Sequence, residues 1–518
     1  LARVIVRQII EAGITDVVVS PGSRNAPLSL AFFAASKRGL IKLHVRIDER
    51  TAAFFALGII KATGRPVPIV CTSGTAVANY HPAVLEASHT NAPLLVLTAD
   101  RPAILRKTGA NQTTEQARIY GKAVRYFADI DGPVFPMELP FDSLRSGPVH
   151  LNVQFDEPML PDDSDKWLDE IVISAKAFES RTKPTTLKSD ASRGVLVIGH
   201  DRGGLNIESV RKFAKELGWP IIAEDPLSFP DAVAHASIFL TSAQIRAALI
   251  PQTVIVIGRT TLSRSINTFL KLAPTQIVID PRMATVDSDR YADKRFTQIP
   301  ELNTHKASPE WLEQWEKYSL RCGKSVDGLT GFTEAVIARE IAANLPDGST
   351  LFVSSSRPIR DLEGFAAPRS GVTTHANRGL AGIDGNISTA LGIACASKQT
   401  FAVLGDLSFL HDLTGLIHRE EINCAFIVIN NDGGGIFSTL PQRGVDGFES
   451  VFGTPHGLDP AAIAAAMGIS ASTISSVDEL KKILKAPVKG VSITVANVPS
   501  RDENADSLKA IYESMNSI

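Results

Sequence analysis

The sequence predicts an α/β protein built from three doubly wound parallel-sheet domains. Three observations carry this. The chain has 518 residues, too many for one core, and about 150 residues per domain suggests roughly three. Short Val/Ile/Leu runs alternate with longer helical stretches, the pattern of a parallel sheet wrapped by helices. Those apolar runs end, again and again, in polar Gly-rich turns, which is where open parallel sheets bind ligands.

In chain order, "DVVVS" is followed by the helical "PGSRNAPLSLAFFAAS", "LHVRI" by "DERTAAFFALGIIKATG", and "VPIVCT" by "SGTAVANYHPAVLEASH". "APLLVLTAD" and "GPVHLNVQF" are the last strands of this series, and the Pro/Asp-rich "DEPMLPDDSD" marks a boundary. A second series reads "GVLVIGHDRGG", "WPIIAEDP", "SIFLT", "TVIVIGRTTLSR" and "TQIVID", all taken as strands ending in turns. After a charged helical linker over 309–345 come "STLFVSSS", "TTHAN", "TFAVLGDLS", "CAFIVINND" and "GVSITVANV". The expected domains are 1–165, 190–320 and 335–518.

Composition narrows the function classes. A formal net charge of −2 with 21% charged residues argues against a nucleic-acid partner, which would bring a strong basic excess. No apolar run reaches the ~18 residues of a membrane span. Cys71, Cys322, Cys395 and Cys424 are scattered without paired spacing, as expected of small core residues in a reducing cytosol. The opening "LARVIVRQIIEAG" is an amphipathic helix pattern with neither an initiator Met nor a cleavage site. It is the expectation for a cytoplasmic chain that lacks its first few residues.

Two strand ends suggest a shared cation. "FAVLGDLSFLHDLTGL" puts Gly405 and Asp406 between a strand and a helix expected over 408–418, and Asn431 follows 25 positions after Asp406 at the end of the next strand. Adjacent parallel strands would bring both ends together. Mg²⁺ takes about six oxygens, often a carboxylate plus phosphate oxygens. Asp406, the Asn431 amide and a carbonyl near Gly433 offer three, and Ser408 with the helix-start N–H groups suits a phosphate. In "HVRIDERTAAFFALG", Asp48 is the expected cap and Glu49 lies in the first turn before an apolar helix. An acidic residue there ordinarily complements the helix dipole, but apolar surroundings also help a carboxyl hold a proton.

Arginines mark the remaining strand ends: Arg24 beside Ser23, Arg101 ahead of Asn111 and Gln112, Arg360 after Ser356, and Arg378. Singly each reads as a surface residue; together they suggest a site for more than one carboxylate.

A Gly-Asp motif followed at this distance by Asn-Asn resembles the signature of the thiamine diphosphate-dependent enzymes, with 22 residues between "GDL" and "NN". "PGSRNAPL", "DERTAAFFALG", "TSGTAVANYHPAVLEA", "TADRP", "GANQT", "NRGLAGIDG", "GDLSFLHDLTGL" and "NNDGGGIFSTLP" carry the resemblance further. They resemble the branch that decarboxylates 2-oxoglutarate and adds the resulting carbanion to isochorismate on the way to menaquinone. The resemblance implies Glu49 as the group that activates the cofactor's pyrimidine. It implies Gly382, Ile383, Gly405, Asp406, Leu407, Ser408, Asn431 and Ile436 around thiamine diphosphate, with Asp406, Asn431 and Gly433 on Mg²⁺ or Mn²⁺. Ser23, Arg24, Arg101, Asn111, Gln112, Ser356, Arg360 and Arg378 would hold the two dicarboxylates, against an apolar wall of Ile436, Phe437 and Leu440. Arg264 would replace a family lysine, while Ser265 stands where the family has an arginine. It further implies a homodimer with shared active sites, assembling as a dimer of dimers. The alternative reading is another 2-keto-acid decarboxylase or an acetolactate synthase-like carboligase on the same scaffold. Such enzymes act on substrates with one carboxylate, and the acetolactate type would call for a flavin loop that "VIGHDRGG" and "VIGRTT" lack.

Overall fold

The computed structural model describes residues 1–132, 138–161, 166–174, 185–260, 262–282, 292–418 and 420–517. It forms two compact units. One comprises Leu1–Arg181, Asp384–Lys398 and His411–Asn423; the other comprises Thr182–Ile383, Gln399–Leu410 and Cys424–Ile518.

The first unit holds one all-parallel sheet. Its strands are Asp16–Val19 (β1), Lys42–Val45 (β2), Val67–Cys71 (β3), Leu94–Asp100 (β4), Tyr126–Ile130 (β5) and Val149–Gln154 (β6), in the order β2-β1-β3-β4-β6-β5. β3 and β4 are buried along their whole length, which explains why they read as unbroken apolar runs. β5, "YFADI", is a half-exposed edge strand, and its mixed composition hides it from a search for apolar runs. Ile5, Ile9, Val17, Phe32, Leu97 and Leu151 belong to the core.

The second unit holds two larger sheets and a short ladder. Thr186–Ser189 (β7) pairs with Glu301–Thr304 (β13). Gly194–Ile198 (β8), Ile221–Ala223 (β9), Thr253–Ile257 (β10), Thr275–Ile279 (β11) and Lys294–Phe296 (β12) form a parallel sheet ordered β12-β11-β10-β8-β9. Ser349–Val353 (β14), Val372–His375 (β15), Thr400–Gly405 (β16), Cys424–Asn430 (β17), Ser470–Ile474 (β18) and Val491–Asn497 (β19) form the third, ordered β15-β14-β16-β17-β19-β18. β16 and β17 are parallel neighbours, with Gly405 level with Ile429.

Two expectations are corrected. "SIFLT" is not a strand: Ala236–Phe239 is one helical turn. His235 begins it at φ 62° with its carbonyl accepting from Ile238 and Phe239. Ile238, Phe239 and Leu240 are buried, and a short apolar run has the same composition in either state. The helix expected over 408–418 instead spans Asp406–His411 and is followed by a tighter turn at Leu413–Leu416. Asp412, at φ −124°, leaves the helix and accepts a hydrogen bond from the Ser388 N–H at 2.7 Å. Among the described residues no helix is long and apolar enough to cross a membrane.

Candidate functional site

The register of β16 and β17 brings Asp406 and Asn431 together. Asp406 Oδ2 accepts from the Asn431 N–H at 3.2 Å and the Gly433 N–H at 2.9 Å, and Oδ1 accepts from the Leu407 N–H at 2.7 Å. Burial raises the Asp406 carboxyl, opposed by the Gly433 and Leu407 N–H groups and by His456. The Asn431 side chain donates through Nδ2 to Glu334 at 2.6 Å, while its Oδ1 is buried without a hydrogen-bond partner. Leaving a buried carbonyl oxygen unpaired costs on the order of 1–3 kcal/mol, so the position is suited to an added electrophile. Gly405 has open space on its side-chain face, where a Cβ would meet nothing within 4 Å.

Around these groups, Ser408 is buried and donates to the Ile383 carbonyl at 3.0 Å, so the "AGIDG" turn with Gly382 and Ile383 is tied to the start of the Asp406 helix. Leu407 is the second residue of that helix. The Gly433 carbonyl accepts from Gly435 at 3.0 Å and keeps a second lone pair. Ile436, Phe437 and Leu440 lie in or just after the Gly435–Thr439 turn, all half-buried, with the Phe437 ring 5.6 Å from that of Phe452.

His456 belongs to this site and was not anticipated. Its Nε2 lies 3.3 Å from Asp406 Oδ2, and its Nδ1 accepts from the Leu458 N–H at 3.0 Å. Asp432 draws the loop in by accepting from the His456 and Gly457 N–H groups at 3.0 and 2.8 Å. "GTPHG" is legible as a turn, but nothing in its composition tells which strand end it covers. No group of three or more His, Cys, Asp or Glu side chains able to hold a metal occurs among the described residues. A cation here would therefore rely on amide and carbonyl oxygens beside Asp406, a hard-oxygen donor set suited to Mg²⁺.

In the first unit, Glu49 is the first residue of the Glu49–Thr63 helix, and Asp48 caps it by accepting from Arg50 at 3.0 Å. Every residue from Thr51 to Ile60 is buried. The Cys71 thiol and Tyr80 hydroxyl are fully buried and pushed well up, first by burial and further by the Glu49 carboxylate. Glu49 itself is half-buried at the head of this apolar helix.

The arginines influence one another within each unit. In the first unit, Arg101 donates to Ser73 Oγ at 2.6 Å and to the Gln112 carbonyl at 2.9 Å. Its guanidinium is held below the usual range by burial and then by Arg24. Arg24 donates to the Phe155 carbonyl at 2.9 Å and keeps a buried Nε without a partner. Ser23, Asn111 and Gln112 are exposed in the same unit. In the second unit, Arg360 donates to the Ser356 carbonyl at 2.6 Å and is lowered by burial, then by Arg357 and Arg378. Ser356 precedes this helix at φ 75°. Arg378 is buried, ion-paired to Glu224, and retains Nε and Nη1 without partners. Like charges held this close, with donors unused, suit anions. Arg264 is different: it is exposed at the start of the Arg264–Leu270 helix. Ser265 turns its hydroxyl to the Ser237 carbonyl at 2.6 Å, a local anchor in place of a long cation.

Comparison with known proteins identifies the family. Residues 1–119 match the thiamine pyrophosphate enzyme N-terminal TPP-binding domain, 161–353 the middle domain of thiamine pyrophosphate enzymes, and 361–498 the C-terminal TPP-binding domain. The 2-succinyl-5-enolpyruvyl-6-hydroxy-3-cyclohexene-1-carboxylate synthase of Thermobifida fusca is 38% identical, covering 93% of each chain. That of Nocardioides sp. is 39% identical over 98% of this chain and 96% of the relative, and that of Lysinibacillus sphaericus 34% over 99% and 97%. A solved structure, described as a thiamin diphosphate-dependent enzyme from Mycobacterium smegmatis, has the same fold. It superposes with a TM-score of 0.65 at 17% identity, covering 95% of this chain and 98% of that one.

Proposed function

We infer the chemistry from one premise: the chain belongs to the 2-succinyl-5-enolpyruvyl-6-hydroxy-3-cyclohexene-1-carboxylate synthase family of thiamine diphosphate-dependent enzymes. It is a C–C bond-forming transferase of menaquinone biosynthesis, in which 2-oxoglutarate loses CO₂ and its remaining four-carbon unit adds in conjugate fashion to isochorismate. The observation that carries the reading is the meeting of Asp406 and Asn431, with Asn431 Oδ1 buried and unbonded.

When bound, thiamine diphosphate supplies an acidic carbon and an electron sink for decarboxylation. In this reading Asp406, the Asn431 amide oxygen and the Gly433 carbonyl would hold Mg²⁺, or Mn²⁺ in its place. Gly405, Leu407 and Ser408 would serve the diphosphate, and Gly382, Ile383 and Ile436 the rest of the cofactor. Glu49 holds or yields a proton at the pyrimidine ring, a role its apolar helix favours. Arg24 with Arg101, and Arg360 with Arg378, bind and orient substrate carboxylates, with Ser23, Asn111, Gln112 and Ser356 as hydrogen-bonding neighbours. Arg264 is a weaker candidate contact. Phe437 and Leu440 exclude water from the reacting carbons. Domains at 1–165, 190–320 and 335–518, a homodimer with shared active sites and its pairing into a dimer of dimers complete the reading.

The test is direct. Purified protein with Mg²⁺, thiamine diphosphate and 2-oxoglutarate is assayed for CO₂ release and coupled product, with and without isochorismate. Product formed only with both substrates is the expected result. Turnover of pyruvate in preference to 2-oxoglutarate would overturn the substrate assignment.

A further inference from the structure

The Asn431 side chain ends in an amide whose oxygen and nitrogen are nearly alike in size, so shape does not choose which atom faces the cation position. A residue outside the site makes the choice. Nδ2 donates to Glu334 Oε1 at 2.6 Å, and this turns Oδ1 the other way, buried and unbonded. The Glu334 oxygen is the acceptor, and of the two ends of the amide only the nitrogen carries hydrogens to donate.

Glu334 is built for that duty. It is the first residue of the Glu334–Asn344 helix, capped by Thr333, where the helix dipole favours a negative charge. It is 5% exposed, so its oxygens depend on protein partners. Arg357 supplies one, with Nε 3.3 Å from Glu334 Oε2. Arg357 is itself paired to Asp361, and the Glu334 N–H donates to Asn504 Oδ1 at 3.1 Å. Before Asn431 reaches it, the carboxylate is thus held by Arg357 and the backbone at its base by Asn504.

We propose that Glu334 is a positioning residue that locks the Asn431 amide with its oxygen toward the divalent cation. The inference rests on the reading of Asp406 and Asn431 as cation ligands. Outer partners of ligating groups commonly change metal affinity by about 10–100-fold when removed, and a comparable loss is expected here.

Isothermal titration of Mg²⁺ with thiamine diphosphate into the full chain tests it without reference to turnover. Glu334→Leu should weaken binding by about 30-fold. Glu334→Gln, which keeps an acceptor oxygen, should recover most of that loss. Asn431→Asp sets a carboxylate against Glu334 and should bind poorly. Asn431→Asp combined with Glu334→Gln exchanges donor and acceptor, and should bind within about threefold of wild type, a coupling of the kind double-mutant cycles isolate. Thermal melts without ligand identify any variant that has lost its fold. Should Asn431→Asp be such a variant, the ranking of Glu334→Gln above Glu334→Leu decides. Equal loss in those two, or a double variant no better than Asn431→Asp, would overturn the proposal. Wild-type protein that binds no Mg²⁺–thiamine diphosphate would overturn the reading of the site itself.

Discussion

Glu49 sits at a helix start that serves two masters, since its charge complements the dipole while its neighbours are a buried thiol and phenol. Glu49→Gln keeps the shape and removes the ionisable group. Turnover should fall by about 10²–10⁴-fold with an unchanged melting temperature, read by coupled assay and calorimetry. Arg378→Ala removes a buried cation with unused donors; kcat/KM for one of the two substrates should fall by about 100-fold or more, as expected for a lost charge-assisted pair, and steady-state kinetics with each substrate varied in turn shows which. Glu420 offers a pH test. Burial alone would raise its carboxyl, but the His44 hydrogen bond and the Arg46 charge outweigh burial and hold it down to about 2, from an ordinary 4.5. The folded-state value is depressed, so the stabilisation is fully present above about pH 4.5 and is lost as pH falls toward about 2. Glu420→Gln should cost about 2 kcal/mol near neutrality, between exposed and buried pairs, and the gap to wild type in thermal melts should close over that acidic window. Asp406 and Asn431 could be singled out as candidates from residue type and spacing, and Glu49 from the family resemblance. Glu334 and His456 could not, because an acidic helix start and a Gly-Pro turn look the same wherever the chain later puts them.

Among the elements, the Glu49–Thr63 helix packs closely on the Asn386–Ala394 helix within the first unit. A Cβ on Gly58 would lie 2.1 Å from the Thr389 carbonyl oxygen, and one on Gly392 would lie 2.0 Å from that of Phe55. Both obstacles are backbone, so neither can swing aside. Gly58→Ala and Gly392→Ala should each destabilise by about 2–3 kcal/mol through overpacking, despite alanine's better helix propensity, and calorimetry gives the sign. The central strands were legible because both faces are covered, which makes them uniformly apolar; β5 and β18, half-exposed at sheet edges, were not. "SIFLT" failed for the opposite reason, being apolar enough for a strand while folding as one buried helical turn.

For the whole molecule, ligand binding and stability are linked. Mg²⁺ and thiamine diphosphate together at 100 times the dissociation constant should add about 2.7 kcal/mol to the stability of the folded state, and a chelator should remove that gain; differential scanning calorimetry reads both. The sequence by itself determined the α/β class, the parallel strands and the identity of the strand-end residues, because burial periodicity and turn chemistry are local properties of the chain. Only the tertiary structure decided which residues meet: Glu334 beside Asn431 from 97 positions away, and His456 beside Asp406 from 50. Such meetings depend on strand order and helix approach, and a hydrogen bond between distant residues leaves no trace in the composition around either one.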